Sequence, residues 1–189
     1  MPKHRLREQS LAKRQALPPV ERVAAESAIQ SSFIALQSYR DAGSVALYVP
    51  VRGEVATDLV IADAHSAGKR VYLPAVTAEG MVFRRFESGG SLSKGAFGIS
   101  EPTADAEAVL PSMIDLIVVP GVAFTLDGHR IGYGKGFYDR ALHSLEMKGR
   151  LVAFSFECQL VETAVNEPHD VLMDAIITER RIIFPALMK

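Results

Sequence analysis

Three glycines alternate with larger residues in Gly132-Tyr133-Gly134-Lys135-Gly136, and Phe137-Tyr138-Asp139-Arg140 completes the run. Glycines at that spacing let a backbone lie close to a ligand. Arg130, Lys135 and Arg140 add three cations, Tyr133, Phe137 and Tyr138 offer flat faces for a ring, and Asp139 supplies a carboxylate. These are the groups that hold a polyphosphate with its magnesium ion, because Mg2+ takes carboxylate, water and phosphate oxygens. The run lies a dozen residues beyond the apolar Ile114–Val119 and opens a helical pattern. That is the strand-to-helix setting in which α/β proteins bind nucleotides. It is not a Walker loop, because Gly136 follows Lys135 where a hydroxyl is needed. Nor is it a dinucleotide fingerprint, because the spacing is G-x-G-x-G. Judged on glycine alone, a surface turn using positive φ accounts for it equally well.

Other residues carry chemistry less distinctively. Lys3, Arg7, Ser10 and Arg14 recur at i, i+4, i+7 and i+11, on one face of a helix over residues 3–17. Such a basic stripe is ordinarily solvated. Asp139, in the first turn of its helix, would complement the helix dipole, worth about 0.3–1 kcal/mol. Asp174 by itself reads as a cap or turn residue, and Glu54 as a loop carboxylate. Phe83, Phe86 and Phe97 fit core positions better than a ligand wall. His169 beside Asp170 suits a proton shuttle no better than a hydrogen-bonded structural role. His4, His65, His129 and His143 form no zinc pattern. Cys158 has an apolar flank and reads as a buried, inert thiol in a reducing compartment.

The elements that must position these groups follow from pattern. Pro18-Pro19 ends the first helix and a second covers residues 20–37. Ser44–Val49 is a strand closed by Pro50, and Asp58 caps a helix to Gly68. Short strands follow at Arg70–Leu73, closed by proline, and at Met81–Phe86; residues 87–112 read mostly as loop. Ile114–Val119 is a buried strand, and Asp127-Gly128 signals a hairpin within residues 123–131. A helix from Gly136 to Lys148, a strand at Leu151–Phe156 and a short helix at Gln159–Val165 come next. Ala175–Thr178 and Ile182–Phe184 close the chain as a strand pair. Strands alternating with helices predict one α/β domain over residues 1–189: a mostly parallel, Rossmann-like sheet flanked by helices, with an antiparallel C-terminal portion. At 189 residues, 48% hydrophobic and with net charge −1, the chain is an ordinary globular domain. Nothing in it suggests binding to nucleic acid or to a membrane. The N-terminus lacks the apolar core of a secretory signal, so a cytoplasmic location is expected.

Ordered motifs along nearly the whole chain resemble the 5-formyltetrahydrofolate cyclo-ligase family, also called methenyltetrahydrofolate synthetases. They are Lys3-His4-Arg5-Leu6-Arg7, Tyr48-Val49-Pro50 with Glu54 and Thr57, and Gly98-Ile99 with Glu101-Pro102. Pro120 to Phe124 and Gly128 to Arg140 follow, then Glu167-Pro168-His169-Asp170 with Asp174, Ile176-Ile177 and Thr178-Glu179.

The resemblance implies ATP- and Mg2+-dependent ring closure of 5-formyltetrahydrofolate to 5,10-methenyltetrahydrofolate, with ADP and phosphate released. Transfer of the γ-phosphoryl group to the formyl oxygen would activate a poor electrophile for attack by N10, which calls for cations and positioning more than for a protein nucleophile. It implies ATP contacts from Lys3, His4, Arg5, Leu6 and Arg7, and from Arg130, Ile131, Gly132, Tyr133, Gly134, Lys135, Gly136, Phe137 and Tyr138. Arg130, Tyr133 and Lys135 would act in catalysis. Val49, Glu54 and the stretch Tyr133–Phe137 would take the folate, and Asp139 with Asp174 would hold Mg2+.

A carboxylate at Glu54 suits a 2-amino-4-oxo pterin, since it accepts two parallel N–H bonds. The partners expected are folate and ATP, with a monomer favoured. Lys135 stands where the family often has a third glycine, Phe137 where tyrosine is frequent, Thr125 where aspartate is common and Val165 where proline is. A non-catalytic folate- or nucleotide-binding relative is the alternative, while a nicotinamide dehydrogenase fails on glycine spacing.

Overall fold

The computed structural model describes residues 2–95, 98–143, 149–162 and 170–185. The helices are α1 (Lys3–Gln15), α2 (Pro19–Ile34), α3 (Gln37–Asp41), α4 (Asp58–Ser66) and α5 (Phe137–His143). The first strands are β1 (Ser44–Ala46), β2 (Arg70–Thr77), β3 (Gly80–Arg85), β4 (Leu92–Lys94), β5 (Ser100–Pro102), β6 (Ala108–Val109) and β7 (Leu116–Val119). They are followed by β8 (Ala123–Thr125), β9 (Arg130–Ile131), β10 (Arg150–Phe154), β11 (Leu160–Val161), β12 (Ala175–Ile177) and β13 (Ile182–Ile183).

The main sheet has the order β13-β12-β10-β7-β1-β2-β3-β6. From β12 to β2 every pairing is parallel. The pairing β12–β13 is antiparallel, as expected, and so is the other edge, β2–β3–β6. A small sheet, β11-β8-β9, and a ribbon, β4-β5, complete the pairing.

Strand alternation divides the core in two. Val45, Leu47, Leu116, Val118, Val152 and Phe154 point to one face and pack with Ile29, Phe33 and Val60 from α2 and α4. Ala46, Ile117, Val119, Leu151 and Ala153 point to the other and pack with Phe124 and Leu142. Both faces are covered, which is why β7 is four buried apolar residues in succession.

Five local readings change. The second helix ends at Ile34, and residues 37–41 form the separate α3. The strand at Arg70 runs on through Pro74 to Thr77. The Tyr72 carbonyl accepts from Leu47 on the β1 side, and the Val71 carbonyl from Phe86 on the β3 side. Alternation therefore turns Pro74 toward β1, beyond that strand's end, where no N–H is needed. Residues 87–112 hold β4, β5 and β6 rather than loop alone. Gln159 does not open a helix. Its amide accepts from the Phe156 N–H and donates to the Gly121 and Val122 carbonyls, which delivers Leu160–Val161 to β8 as a strand. At α4, the Gln30 side-chain oxygen accepts from the Leu59 and Val60 N–H groups at 3.0 and 3.3 Å, satisfying donors that Asp58 was expected to cap.

Candidate active site

The loops that leave the C-terminal ends of β1, β7 and β10 meet at one edge of the sheet. After β1, the Thr57 hydroxyl donates to the Tyr48 carbonyl and the Tyr48 hydroxyl to the Val55 carbonyl. Between them a tight turn is closed by Glu54 N–H to Val51 carbonyl, with Arg52 and Gly53 both at positive φ. The turn folds the Glu54 side chain inward: it is 6% exposed, and Oε2 accepts from the Val51 N–H at 3.0 Å. Its Oε1 is buried with no hydrogen-bond partner. Burial raises the Glu54 pKa above the usual carboxylate value, against the opposing pull of the Val51 N–H, Tyr133, Arg14 and Arg52. Tyr48, whose phenol senses the Glu54 carboxylate, also lines an apolar groove of about 200 Å3 with Val49, Ile61, Leu73, Phe86 and Leu92.

After β7, the β8–β9 hairpin leads into the glycine-rich loop. Thr125, buried where the hairpin enters its turn, takes the His129 N–H on its hydroxyl and bonds Asp127. That is a turn-closing task which an aspartate there would also serve. Arg130 is 8% exposed and donates to Asp139 at 2.7 Å and to the Pro120 carbonyl at 3.2 Å. Its guanidinium also lies 5.7 Å from the centre of the Tyr138 ring. Arg7 donates through Nε to the Gly132 carbonyl at 2.8 Å. Gly134 adopts φ +91°, and a Cβ there would lie 3.5 Å from the Arg7 guanidinium. Arg14, 1% exposed, donates to the Tyr133 hydroxyl at 2.8 Å. Burial and the nearby Glu54 carboxylate push the Tyr133 phenol up to about 12. The same two causes hold Tyr138 and Tyr48 above the ordinary phenol range.

The basic face of α1 is thus turned inward, not solvated. Lys3 pairs with Asp170 at 3.0 Å, and Arg7 and Arg14 reach the glycine-rich loop. His4 and Arg5 fall on the exposed face of the same helix, and Leu6 packs with Ala123 and Ile131 in a small core. A period of 3.6 residues separates these neighbours, which the run of five had grouped together. Lys135 is exposed, and Gly136 holds φ +66° at the start of α5. Phe83 is core, edge-on to Tyr138, whereas Val49 and Phe86 line the groove. Phe97, Val165 and His169 lie outside the described residues.

The two acids read as a metal pair each have a different partner. Asp174 Oδ2 accepts from the Leu151 N–H at 2.7 Å, at the N-terminal end of β10. Leu151 sits level with Ile117. Asp139 is tied through Arg130 to Pro120, three residues further on, a step of about 10 Å along the strands at ~3.3 Å per residue. Among the described residues no group of three or more His, Cys, Asp or Glu is placed to hold a metal. A larger groove of about 870 Å3, lined by Asp41, Ser112, Asp115 and Arg150, is at that same N-terminal end of the strands, away from the glycine-rich loop.

The comparisons agree with the motif reading. The model of the 5-formyltetrahydrofolate cyclo-ligase family matches residues 1–179. This chain belongs to that family. The Escherichia coli 5-formyltetrahydrofolate cyclo-ligase is 36% identical over 146 residues, covering 75% of this chain and 80% of the relative. The Haemophilus influenzae enzyme of the same name is 34% identical over 159 residues, covering 81% and 85%. The fold matches the NMR structure of Aquifex aeolicus 5,10-methenyltetrahydrofolate synthetase with a TM-score of 0.87, 34% identity and coverage of 98% and 93%. A Mycoplasma pneumoniae 5,10-methenyltetrahydrofolate synthetase matches with a TM-score of 0.79 and 27% identity over 95% and 99%.

The cyclo-ligase match spans both halves of the site, from α1 through the glycine-rich loop to β12. The residues present fit a triphosphate: glycine backbone at positive φ, with Arg7 and Arg130 beside it. For Mg2+, Asp139 fits as a single carboxylate beside phosphate oxygens, since this ion keeps waters and needs no protein cage. In the sequence Arg14 only continues the basic stripe, and its helical register with Arg7 is the signal that it faces the same site.

Proposed function

We propose that the chain closes 5-formyltetrahydrofolate to 5,10-methenyltetrahydrofolate with consumption of ATP in the presence of Mg2+. One observation carries the reading. An inward-aimed carboxylate with an unpartnered oxygen, linked through Tyr48 to an apolar groove, shares a sheet edge with a glycine-rich loop ringed by guanidinium groups. Two unlike half-sites of this kind suit a flat, amide-bearing heterocycle and a polyanion.

Glu54 accepts the pterin N–H groups, and Val49 and Phe86 pack on its ring. Lys3, Arg7, Arg130, Lys135 and the backbone from Gly132 to Tyr138 hold the triphosphate, with Asp139 toward the magnesium ion. Bound ATP supplies a phosphoryl group that turns the formyl oxygen into a leaving group. Arg130 and Lys135 balance charge on the transferred group without reorganising. Tyr133, with its phenol pushed up to about 12, stays protonated at neutral pH. It therefore acts as a hydrogen-bond donor and not as a base. We take the reaction to be cytoplasmic and the working unit to be a monomer.

Purified protein with ATP, Mg2+ and 5-formyltetrahydrofolate is expected to generate the methenyl product, followed by its near-ultraviolet absorbance. Folded protein giving no product above an enzyme-free control would refute the reading. Calorimetric folate binding without ATP consumption would put a binding protein in its place.

A further inference from the structure

We propose that Arg14 is a positioning residue that ties the folate-side turn to the triphosphate-side loop, so that occupancy of one fixes the other. The ligands rest on the cyclo-ligase reading, and the coupling rests on geometry.

A single nitrogen of Arg14, Nη2, donates to the Arg52 carbonyl at 2.9 Å and to the Tyr133 hydroxyl at 2.8 Å. Its Nη1 donates to the Gly121 carbonyl at 3.3 Å. One side chain from α1 therefore touches the turn that aims Glu54, the loop after β7 and the glycine-rich loop. These segments lie 38, 107 and 119 residues away in sequence.

A second arginine reinforces the first. Arg22 donates to the Arg14 carbonyl at 2.5 Å and to the Gly53 carbonyl at 2.9 Å. A Cβ on Gly53, which holds φ +76°, would lie 2.6 Å from the Arg22 guanidinium. The turn carrying Glu54 is therefore strapped from both sides.

The arrangement is poor as a stability device. Arg14 is 1% exposed and its Nε has no hydrogen-bond partner. Burying a guanidinium with a donor unmet is costly, and an apolar side chain in such a place is often neutral or better for stability. What an apolar residue cannot supply is a rigid fork that meets several acceptors at once. Charge alone would not require the fork either. Tyr48, Tyr133, Tyr138, Arg52 and Arg14 all face Glu54, and Arg52 also carries a positive charge.

The test measures coupling directly. Binding of 5-formyltetrahydrofolate is followed by calorimetry with and without Mg2+ and a non-hydrolysable ATP analogue. In the wild-type protein the nucleotide is expected to tighten folate binding by about tenfold or more. In Arg14→Met that ratio is expected to fall toward one. Arg14→Lys keeps a cation beside Glu54 but loses the fork, so folate affinity alone should hold within about threefold while the coupling still falls. In turnover at saturating ATP, the folate KM is expected to rise by about the tenfold that the lost coupling supplied, and kcat to drop by about 10–100-fold, as misplacement of reacting groups does.

Nucleotide tightening that is absent in the wild type, or unchanged within twofold in both variants, overturns the proposal. If Arg14→Met does not fold, Tyr133→Phe removes one leg of the bridge. Full coupling in both Tyr133→Phe and Arg14→Lys is then the overturning result. Coupled binding without any methenyl product would instead sink the catalytic reading and leave the bridge standing.

Discussion

At the residue scale, Glu54 sets the pH dependence of folate recognition. Its pKa is raised by burial, so the folded protein holds the proton more tightly than the unfolded chain does. Pterin N–H groups need the carboxylate. Folate affinity is therefore expected to be full well above the raised pKa and to fall as pH drops through it, at higher pH than for an ordinary glutamate. Calorimetric titration across pH 4–8 checks this. Glu54→Gln should flatten the profile and weaken binding by about 10–100-fold, as loss of hydrogen bonds to a charged acceptor does. The same shift means ionised Glu54 lowers stability at neutral pH, so Glu54→Gln should unfold no earlier than wild type there.

The two aspartates make a second contrast. Asp139→Ala is expected to cost about 100-fold or more in turnover, because it frees Arg130 at the phosphate loop. Asp174→Ala should lose about 1.5–3 kcal/mol of stability through the Leu151 N–H while kcat stays within threefold. Thermal melts read beside initial rates separate the two. Residue types at motif positions were legible in sequence, and Asp139, Glu54 and Arg7 land at the site. The split of His4 and Arg5 from Lys3 and Arg7 follows from helical phase once the helix is granted, whereas the pairing of Asp174 with Leu151 depends on strand register, which sequence does not carry.

At the element scale, what sequence shows well is periodicity and what it hides is partnership across the chain. β7 announces itself as Leu-Ile-Val-Val, and the β8–β9 hairpin through Asp127-Gly128. The continuation of β2 through Pro74 was hidden, because it depends on where β1 stops. The start of α4 was hidden in the same way. Its donors are met by Gln30, nearly thirty residues earlier and 1% exposed on α2. Removing that acceptor strands two N–H groups at a helix start. Gln30→Ala is expected to cost about 1–2 kcal/mol, the usual scale for a lost cap. Because α4 forms part of the groove wall through Asp58 and Ile61, the loss should also raise KM for folate more than KM for ATP. Urea unfolding and the two KM values together check it: a change in ATP KM alone would show that α4 does not serve the folate half.

At the scale of the whole molecule, both core faces hang on the same strands. Val118 and Val119 are neighbours in β7, yet one belongs to the core with Phe33 and the other to the core with Phe124. A cavity on either side must loosen β1, β7 and β10, which carry the loops of both half-sites. The protein should therefore unfold as one cooperative unit. Phe33, fully buried and ringed by Tyr39 and Phe154, tests one face, and Phe124, equally buried, tests the other. Each truncation to alanine is expected to cost about 3–5 kcal/mol. For a chain of this size that lowers Tm by about 6–20 °C. Far-ultraviolet circular dichroism and tyrosine fluorescence should superimpose in each variant, with ATP and folate raising Tm in both, since ligands that bind only the native state stabilise all of a cooperative unit. Separate transitions, with one face melting while the ligands still bind, would show that the two cores fold independently and that the site is not held by the sheet they share.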